Sequence, residues 1–172
     1  MSTSISLKEI AKNWNSHNSE SDWYRSNYVF FRNGVEKATL ETGIQLSIEG
    51  IGDITLPNFA MGNISTIDLF GLDELIIFSY YRQVANSSTN KALDLGANIG
   101  LHSLVLARLG YEVTSYEPDP LHAQQFLANQ KLNNVINISL GFFYYAFRPR
   151  VCGNANSVAD ILFSLYSVVY FH

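Results

Sequence analysis

The sequence predicts an α/β fold: a parallel sheet carried by βαβα units, behind a small antiparallel β-rich N-terminal region. Three observations predict it. From Lys91 onward, short apolar runs alternate with helix-period stretches. A glycine turn, Gly96 to Gly100, joins the first such run to the first such helix. Upstream, Ile44, Leu46 and Ile48 alternate with Gln45, Ser47 and Glu49, the pattern of a strand with one wet face.

Taken in order, residues 5–14 place Ile5, Leu7, Ile10, Ala11 and Trp14 at near-helical spacing and predict a short amphipathic helix. Residues 15–22 read as a polar linker, with no role for His17. Residues 28–32, Tyr-Val-Phe-Phe-Arg, read as a strand closed by the turn dipeptide Asn33-Gly34. Residues 36–49 read as a hairpin turning at Thr42-Gly43, its second arm ended by Gly50 and Gly52. A largely buried helix is predicted over 72–84, with Leu72, Leu75, Ile76, Phe78 and Tyr80 covering much of its circumference. The pair Tyr80-Tyr81 reads as core. The polar stretch 86–90 marks a boundary.

Beyond it, 91–95 is a strand, and 98–109 a turn and helix stopped by Gly110. Residues 111–116 form a second strand. Asp119 caps a second helix with Pro120 in its first turn, where a missing N–H costs nothing. That helix runs to about Leu132, Asn133-Asn134 breaks it, and 135–140 alternates as a third strand. The expected division is 1–90 as helix, small β-rich region and buried helix, 91–140 as the βαβ core, and 141–172 as an atypical aromatic tail.

Composition narrows the function. The net charge of −4 and the absence of a basic cluster argue against a nucleic-acid partner. Cys152 is the only cysteine, so an intrachain disulfide and a cysteine-built metal site are both excluded. No run reaches the ~20 apolar residues of a membrane span, and the N-terminus lacks the pattern of a secretory signal. The expectation is a cytoplasmic protein without a membrane or metal partner.

The chemistry concentrates in Ala92-Leu93-Asp94-Leu95-Gly96-Ala97-Asn98-Ile99-Gly100. A glycine turn between a strand and a helix lets a ligand approach backbone N–H groups at the positive helix end. Glu117 follows 21 residues after Gly96, at the end of the next strand, where a carboxylate can accept from both hydroxyls of a ribose. A dinucleotide site wants G-x-G-x-x-G, but those positions hold Gly96, Asn98 and Leu101. Asn98 would obstruct a pyrophosphate. The spacing D-x-G-x-x-x-G suits a nucleoside ligand without one, such as S-adenosylmethionine. Asp119 reads as a helix cap, and His102 and His122 as surface or capping residues.

Residues 92–134 resemble the FkbM family of S-adenosylmethionine-dependent methyltransferases, in the D-x-G-A-N-x-G turn, the following helix with Ser103, and the Glu117-Pro118-Asp119-Pro120 segment. Helix 72–84 resembles it loosely. The resemblance implies an incomplete, Rossmann-like class I methyltransferase fold. It implies that Gly96, Ala97, Asn98 and Gly100 form the loop under the methionine moiety of S-adenosylmethionine. Asp94 would order that loop near the cofactor's amino group, Glu117 would hold the ribose, and Pro118 would pack beside the adenine. The implied chemistry is O-methyl transfer to a hydroxyl of a saccharide or small metabolite. A non-catalytic nucleotide- or cofactor-binding module is the alternative. No catalytic residue is identified.

After Asn134 the resemblance fades. Family members continue with an A-x-S-D-like turn and a later strand ending in D-V-E-G, and neither is present. Instead, nine Phe and Tyr residues fall within 140–172, against three charged ones, Arg148, Arg150 and Asp160. This shift points to a frameshifted or truncated chain, the other reading being an aromatic tail packed on the domain. The expectations are a first strand with a bare edge unless the tail or the N-terminal sheet covers it, and no methyl-transfer turnover by this chain.

Overall fold

The computed structural model describes residues 4–85, 90–141 and 168–171. The remainder of the aromatic tail lies outside the described residues.

The N-terminal region is built on one strand. Ser4–Ile5 (β1) leads into a helix, Leu7–Lys12 (α1), and Ser6 caps it by accepting the Glu9 N–H. The predicted helix therefore starts later, because Ile5 is spent on a strand, and it ends earlier, because Trp14–Ser16 tightens into a 3-10 turn. A long helix, Asp22–Ala38 (α2), follows. Then come Thr39–Leu40 (β2), Gly43–Ile48 (β3) and Gly52–Pro57 (β4). β3 is central: β1 runs parallel to its end, β2 antiparallel to its start, and β4 antiparallel along its other edge. The sheet is mixed rather than purely antiparallel.

The alternation in β3 holds. Ile44, Leu46 and Ile48 are buried against Ile54 and Leu56 of β4. Each such side chain contributes about 1.5–3 kcal/mol of transfer free energy. The hairpin is shorter than predicted: Leu40 pairs with Gly43, so Glu41 and Thr42 form the turn and the first arm starts at Thr39. A two-stranded ribbon, Ala60–Met61 (β5) and Ile64–Ser65 (β6), and a 3-10 turn over Thr66–Phe70 complete the region.

The strand predicted at 28–32 is helix, and Asn33-Gly34 lies inside α2 rather than closing a turn. Ser21 decides the matter locally, since its hydroxyl accepts the Tyr24 N–H at 3.0 Å and satisfies a donor that a helix start leaves bare. Packing decides it globally. Phe31, Gly34 and Val35 are buried and Trp23, Tyr24 and Asn27 half-buried, a helical stripe. Val29 and Phe30, the strongest strand formers, face solvent at 58% and 65% exposure. Tertiary burial overrides their β propensity.

Helix Leu72–Val84 (α3) has the predicted bounds, with Leu72, Leu75, Phe78, Ser79 and Tyr81 buried. Tyr80 is 40% exposed while Tyr81 is 4% exposed, so only the second tyrosine belongs to the core. The βαβα series then runs Lys91–Leu95 (β7), Leu101–Arg108 (α4), Glu112–Tyr116 (β8), Pro120–Leu132 (α5) and Ile138–Gly141 (β9). β7, β8 and β9 are parallel, with Asp94 opposite Ser115 and Val113 opposite Ile138. β9 starts later than predicted because Val135 turns back, its N–H donating to the Gln130 carbonyl. Val168–Phe171 (β10) pairs antiparallel with β7, so the first strand's edge is covered by the tail. The sheet order is β10-β7-β8-β9.

Buried side chains from Leu7 to Ile138 form one hydrophobic cluster joining the N-terminal sheet to the βαβ units. A polar clamp reinforces the join. Asn133, at the end of α5, accepts the Thr55 N–H at 2.9 Å and donates to the Thr55 carbonyl at 2.8 Å, mimicking a neighbouring strand. Asn133→Ala strips both groups of their partner. At about 1–3 kcal/mol per unsatisfied buried group, the loss of stability is expected to be about 2–4 kcal/mol, read as a lowered urea midpoint at unchanged slope. A loss below about 0.5 kcal/mol would show that water replaces the clamp without penalty.

Among the described residues no helix is long and apolar enough to cross a membrane, and no three His, Cys, Asp or Glu side chains gather as a metal site.

Candidate functional site

The turn between β7 and α4 is shaped by backbone geometry that the sequence encodes. Gly96 has φ +76°, and it and Ala97 donate their N–H groups to the Tyr116 carbonyl at 2.9 and 3.0 Å. Asn98 adopts φ +51°, a left-handed conformation that Asn tolerates better than most residues. Gly100 has φ +89°, and a Cβ there would stand 2.7 Å from the Phe126 ring. Gly100 thus lets α5 pack against the start of α4. Asn129, buried on α5, donates to the Ile99 carbonyl at 2.9 Å and pins the turn from behind.

Glu117 reaches this turn from the end of β8. Its Oε2 accepts the Asn98 N–H at 2.6 Å, and its Oε1 accepts the Asp119 N–H at 2.8 Å. The carboxylate is 5% exposed and orders the loop as well as facing it. A carboxylate has about four lone-pair sites, so two remain for a ligand's hydroxyls. Pro118 is exposed beside it. Asp119 caps α5 as predicted, accepting the Leu121 and His122 N–H groups at 2.8 and 3.2 Å. These backbone donors hold its carboxyl below the ordinary value.

Asp94 lies beneath the turn, 0% exposed. Its Oδ2 accepts from the Ser103 hydroxyl at 2.5 Å, and Ser103 and Ser115 share a hydrogen bond at 2.7 Å. Asp94 therefore lies against the first turn of α4, tied to it through the Ser103 hydroxyl. Burial pushes its pKa up, against the pull of His102 and Ser103. Asp94 Oδ1 and Asn98 Oδ1 are buried with no hydrogen-bond partner. Two orphaned acceptors at one turn are costly. They match a ligand end that presents an ammonium group, as the amino-acid end of S-adenosylmethionine does.

The structure therefore brings together Asp94, Gly96, Ala97, Asn98, Gly100 and Glu117, with Pro118 at the rim. The sequence reading missed Asn129 and, more importantly, His102. His102 is no surface residue. Its Nε2 lies 2.9 Å from Glu74 Oε2 and its Nδ1 2.9 Å from the Tyr81 hydroxyl. His122 is a packing residue, its ring 5.6 Å edge-on from Phe59. His17 likewise braces α1 and α2, contacting the Ile10 carbonyl at 2.9 Å and the Trp23 ring at 4.9 Å.

Two surface depressions lie elsewhere. One, of about 180 Å³, is bordered by Tyr28, Asp68 and Leu72; the other, of about 250 Å³, by Leu40, Pro57 and Leu132. Neither touches the turn; the first is bordered by Tyr28, Arg32, Glu36 and Asp68, and the second is mainly apolar. The turn's orphaned acceptors outweigh their size.

No family model and no curated protein sequence matches the chain. Among solved structures, the chain is similar to a SAM-dependent methyltransferase from Agrobacterium tumefaciens, with 22% identity and a TM-score of 0.47. The match covers 60% of this chain and 33% of that one, so the chain spans about a third of that protein's length.

Proposed function

We propose that residues 91–141 form the cofactor half of an S-adenosylmethionine-dependent methyltransferase of FkbM type, with a hydroxyl of a saccharide or small metabolite as the acceptor. The observation that carries this reading is the turn from Asp94 to Gly100 closed by Glu117, with two orphaned acceptors at its base. When bound, S-adenosylmethionine supplies a methyl group activated on a sulfonium. This chain's residues bind and orient. Asp94 faces the amino group, the N-terminal turn of α4 receives the carboxylate, and the remaining lone pairs of Glu117 take the ribose hydroxyls. Such positioning is the main contribution a protein makes to a reaction whose leaving group is already good.

The same geometry disfavours a dinucleotide. A pyrophosphate site offers its loop N–H groups to phosphate oxygens, but here Asn98 N–H is taken by Glu117, whose negative charge repels phosphate. Isothermal calorimetry on the full chain is expected to give tighter binding of S-adenosylhomocysteine than of NAD. Tighter binding of NAD would overturn the reading.

A further inference from the structure

We propose that the depression where α2, the 3-10 turn over Thr66–Phe70 and the start of α3 meet binds one neutral sugar ring. Its volume is about 180 Å³. Its exposed lining is polar: Arg32 and Glu36 from α2, and Asp68 from the 3-10 turn. Its buried lining is apolar, with Val35, Phe70 and Leu72 all belonging to the core. Tyr28, 40% exposed, adds an aromatic ring. A small-molecule site has this make-up, an apolar wall with a few polar groups that fix orientation.

The polar groups are held in place without being used up. Asp68 Oδ2 accepts the Ser65 N–H at 2.7 Å and the Ser65 hydroxyl at 2.8 Å, which fixes the carboxylate and leaves Oδ1 to accept from a ligand. Glu36 Oε1 meets the Nε–H of Arg32 at 3.3 Å, so Glu36 Oε2 and the terminal guanidinium donors lie outside that pair. The aromatic side is braced as well. Tyr28 stacks on Tyr24 with ring centroids 6.0 Å apart, and the Tyr24 hydroxyl donates to Asp73 of α3 at 2.8 Å. A sugar hydroxyl both donates and accepts, so it matches a lining that offers carboxylate acceptors and guanidinium donors together. The C–H face of the ring matches the buried apolar wall and the tyrosine. Charge then selects among sugars. Two carboxylates against one guanidinium, with Asp73 behind Tyr24, disfavour a phosphorylated or carboxylated ring.

The depression also lies one short step along α3 from the glycine turn. Leu72 borders it, and Glu74, two residues on, stands 2.9 Å from His102 in the first turn of α4. On the methyltransferase reading above, and resting on it, this is where the sugar part of the acceptor seats. Binding of the ring itself does not depend on that reading.

The test is amide NMR of the full chain titrated with the methyl glycosides of glucose, mannose and galactose, with no S-adenosyl compound present. At least one is expected to give saturable shifts of the Arg32, Glu36, Asp68 and Leu72 amides. The expected Kd is about 1–10 mM, the scale for a ligand of about a dozen non-hydrogen atoms. The matching uronic acid should bind at least about tenfold more weakly, because its carboxylate meets like charge. Glu36→Ala and Tyr28→Ala remove exposed side chains, so the urea midpoint should hold in both. Affinity should fall at least about tenfold in Glu36→Ala and at least about threefold in Tyr28→Ala. No saturable shift at these amides with any of the three glycosides overturns the proposal. So does a uronic acid that binds more tightly than its neutral counterpart, and so do shifts that persist unchanged in both variants. A chain that binds the glycoside but not S-adenosylhomocysteine would end the cofactor reading and leave the sugar site standing.

Discussion

Gly100→Ala is expected to destabilise the fold by about 2–5 kcal/mol. Two costs add. At φ +89° an L side chain is strained, by about 1–2 kcal/mol. The new Cβ would stand 2.7–2.9 Å from three atoms of the Phe126 ring, and overpacking of this kind costs about 1–3 kcal/mol. Phe126 is fully buried, so it has nowhere to retreat without moving α5. Against a typical domain stability of about 5–15 kcal/mol, that is a large share. Urea denaturation should show a lower midpoint with an unchanged slope. The second change Phe126→Leu in the Gly100→Ala background should recover part of the loss, since it removes the clash and leaves only the strain. A Gly100→Ala protein within about 1 kcal/mol of the wild type would mean that Phe126 and α5 are not seated as described.

Glu117→Ala is expected to weaken S-adenosylhomocysteine binding by at least tenfold, at about 1.5–3 kcal/mol for each charge-assisted hydrogen bond lost. The structure adds a second effect that a ribose contact alone would not produce. Glu117 accepts the Asn98 and Asp119 N–H groups, so its removal frees the turn and leaves both donors bare. Stability should fall by about 1–3 kcal/mol in the same variant. Glu117→Gln separates the two effects. Its amide oxygen can serve one N–H while its amine opposes the other, so affinity should fall between those of wild type and Glu117→Ala. Calorimetry that finds unchanged affinity in Glu117→Ala would leave Glu117 as a brace for the loop and nothing more.

The parts of the fold legible in the sequence are those with local signals. Asp119-Pro120 marks the start of α5, Gly110 the stop after α4, and Ile44, Leu46 and Ile48 the buried face of β3. Each is a statement about neighbouring residues, and each survives folding. The segment 28–34 was not legible. Tyr28, Val29 and Phe30 carry strand propensity and Asn33-Gly34 carries turn propensity, yet all lie in α2 because Phe31, Gly34 and Val35 are the residues that the core accepts. Only the partner surface tells which apolar residues are spent on burial and which are left in solvent. β4 carries the same period-2 pattern in Ile54 and Leu56, but its role depends on pairing with β3.

The candidate site divides the same way. Asp94, the glycines and Glu117 stand out by spacing along the chain. The His102 clamp does not, because Tyr81 lies 21 residues upstream on a helix whose apolar pattern reads as core. Asn129 is equally silent, a mid-helix amide whose target, the Ile99 carbonyl, is 30 residues away. What could have flagged both is their chemistry: a polar side chain on a buried helix face must find a partner or incur the cost of lacking one.

The central claim is that the turn from Asp94 to Gly100, with Glu117, is where an S-adenosyl ligand binds. It is tested most directly by amide NMR of the full chain titrated with S-adenosylhomocysteine. The expected result is saturable shifts of the Gly96, Asn98, His102 and Ser103 amides, together with the amide of Pro118's neighbour Glu117, while the amides around Tyr28 and Asp68 stay still. Shifts confined to the depression beside Tyr28 and Asp68, or no saturable shift at the turn, would contradict the account.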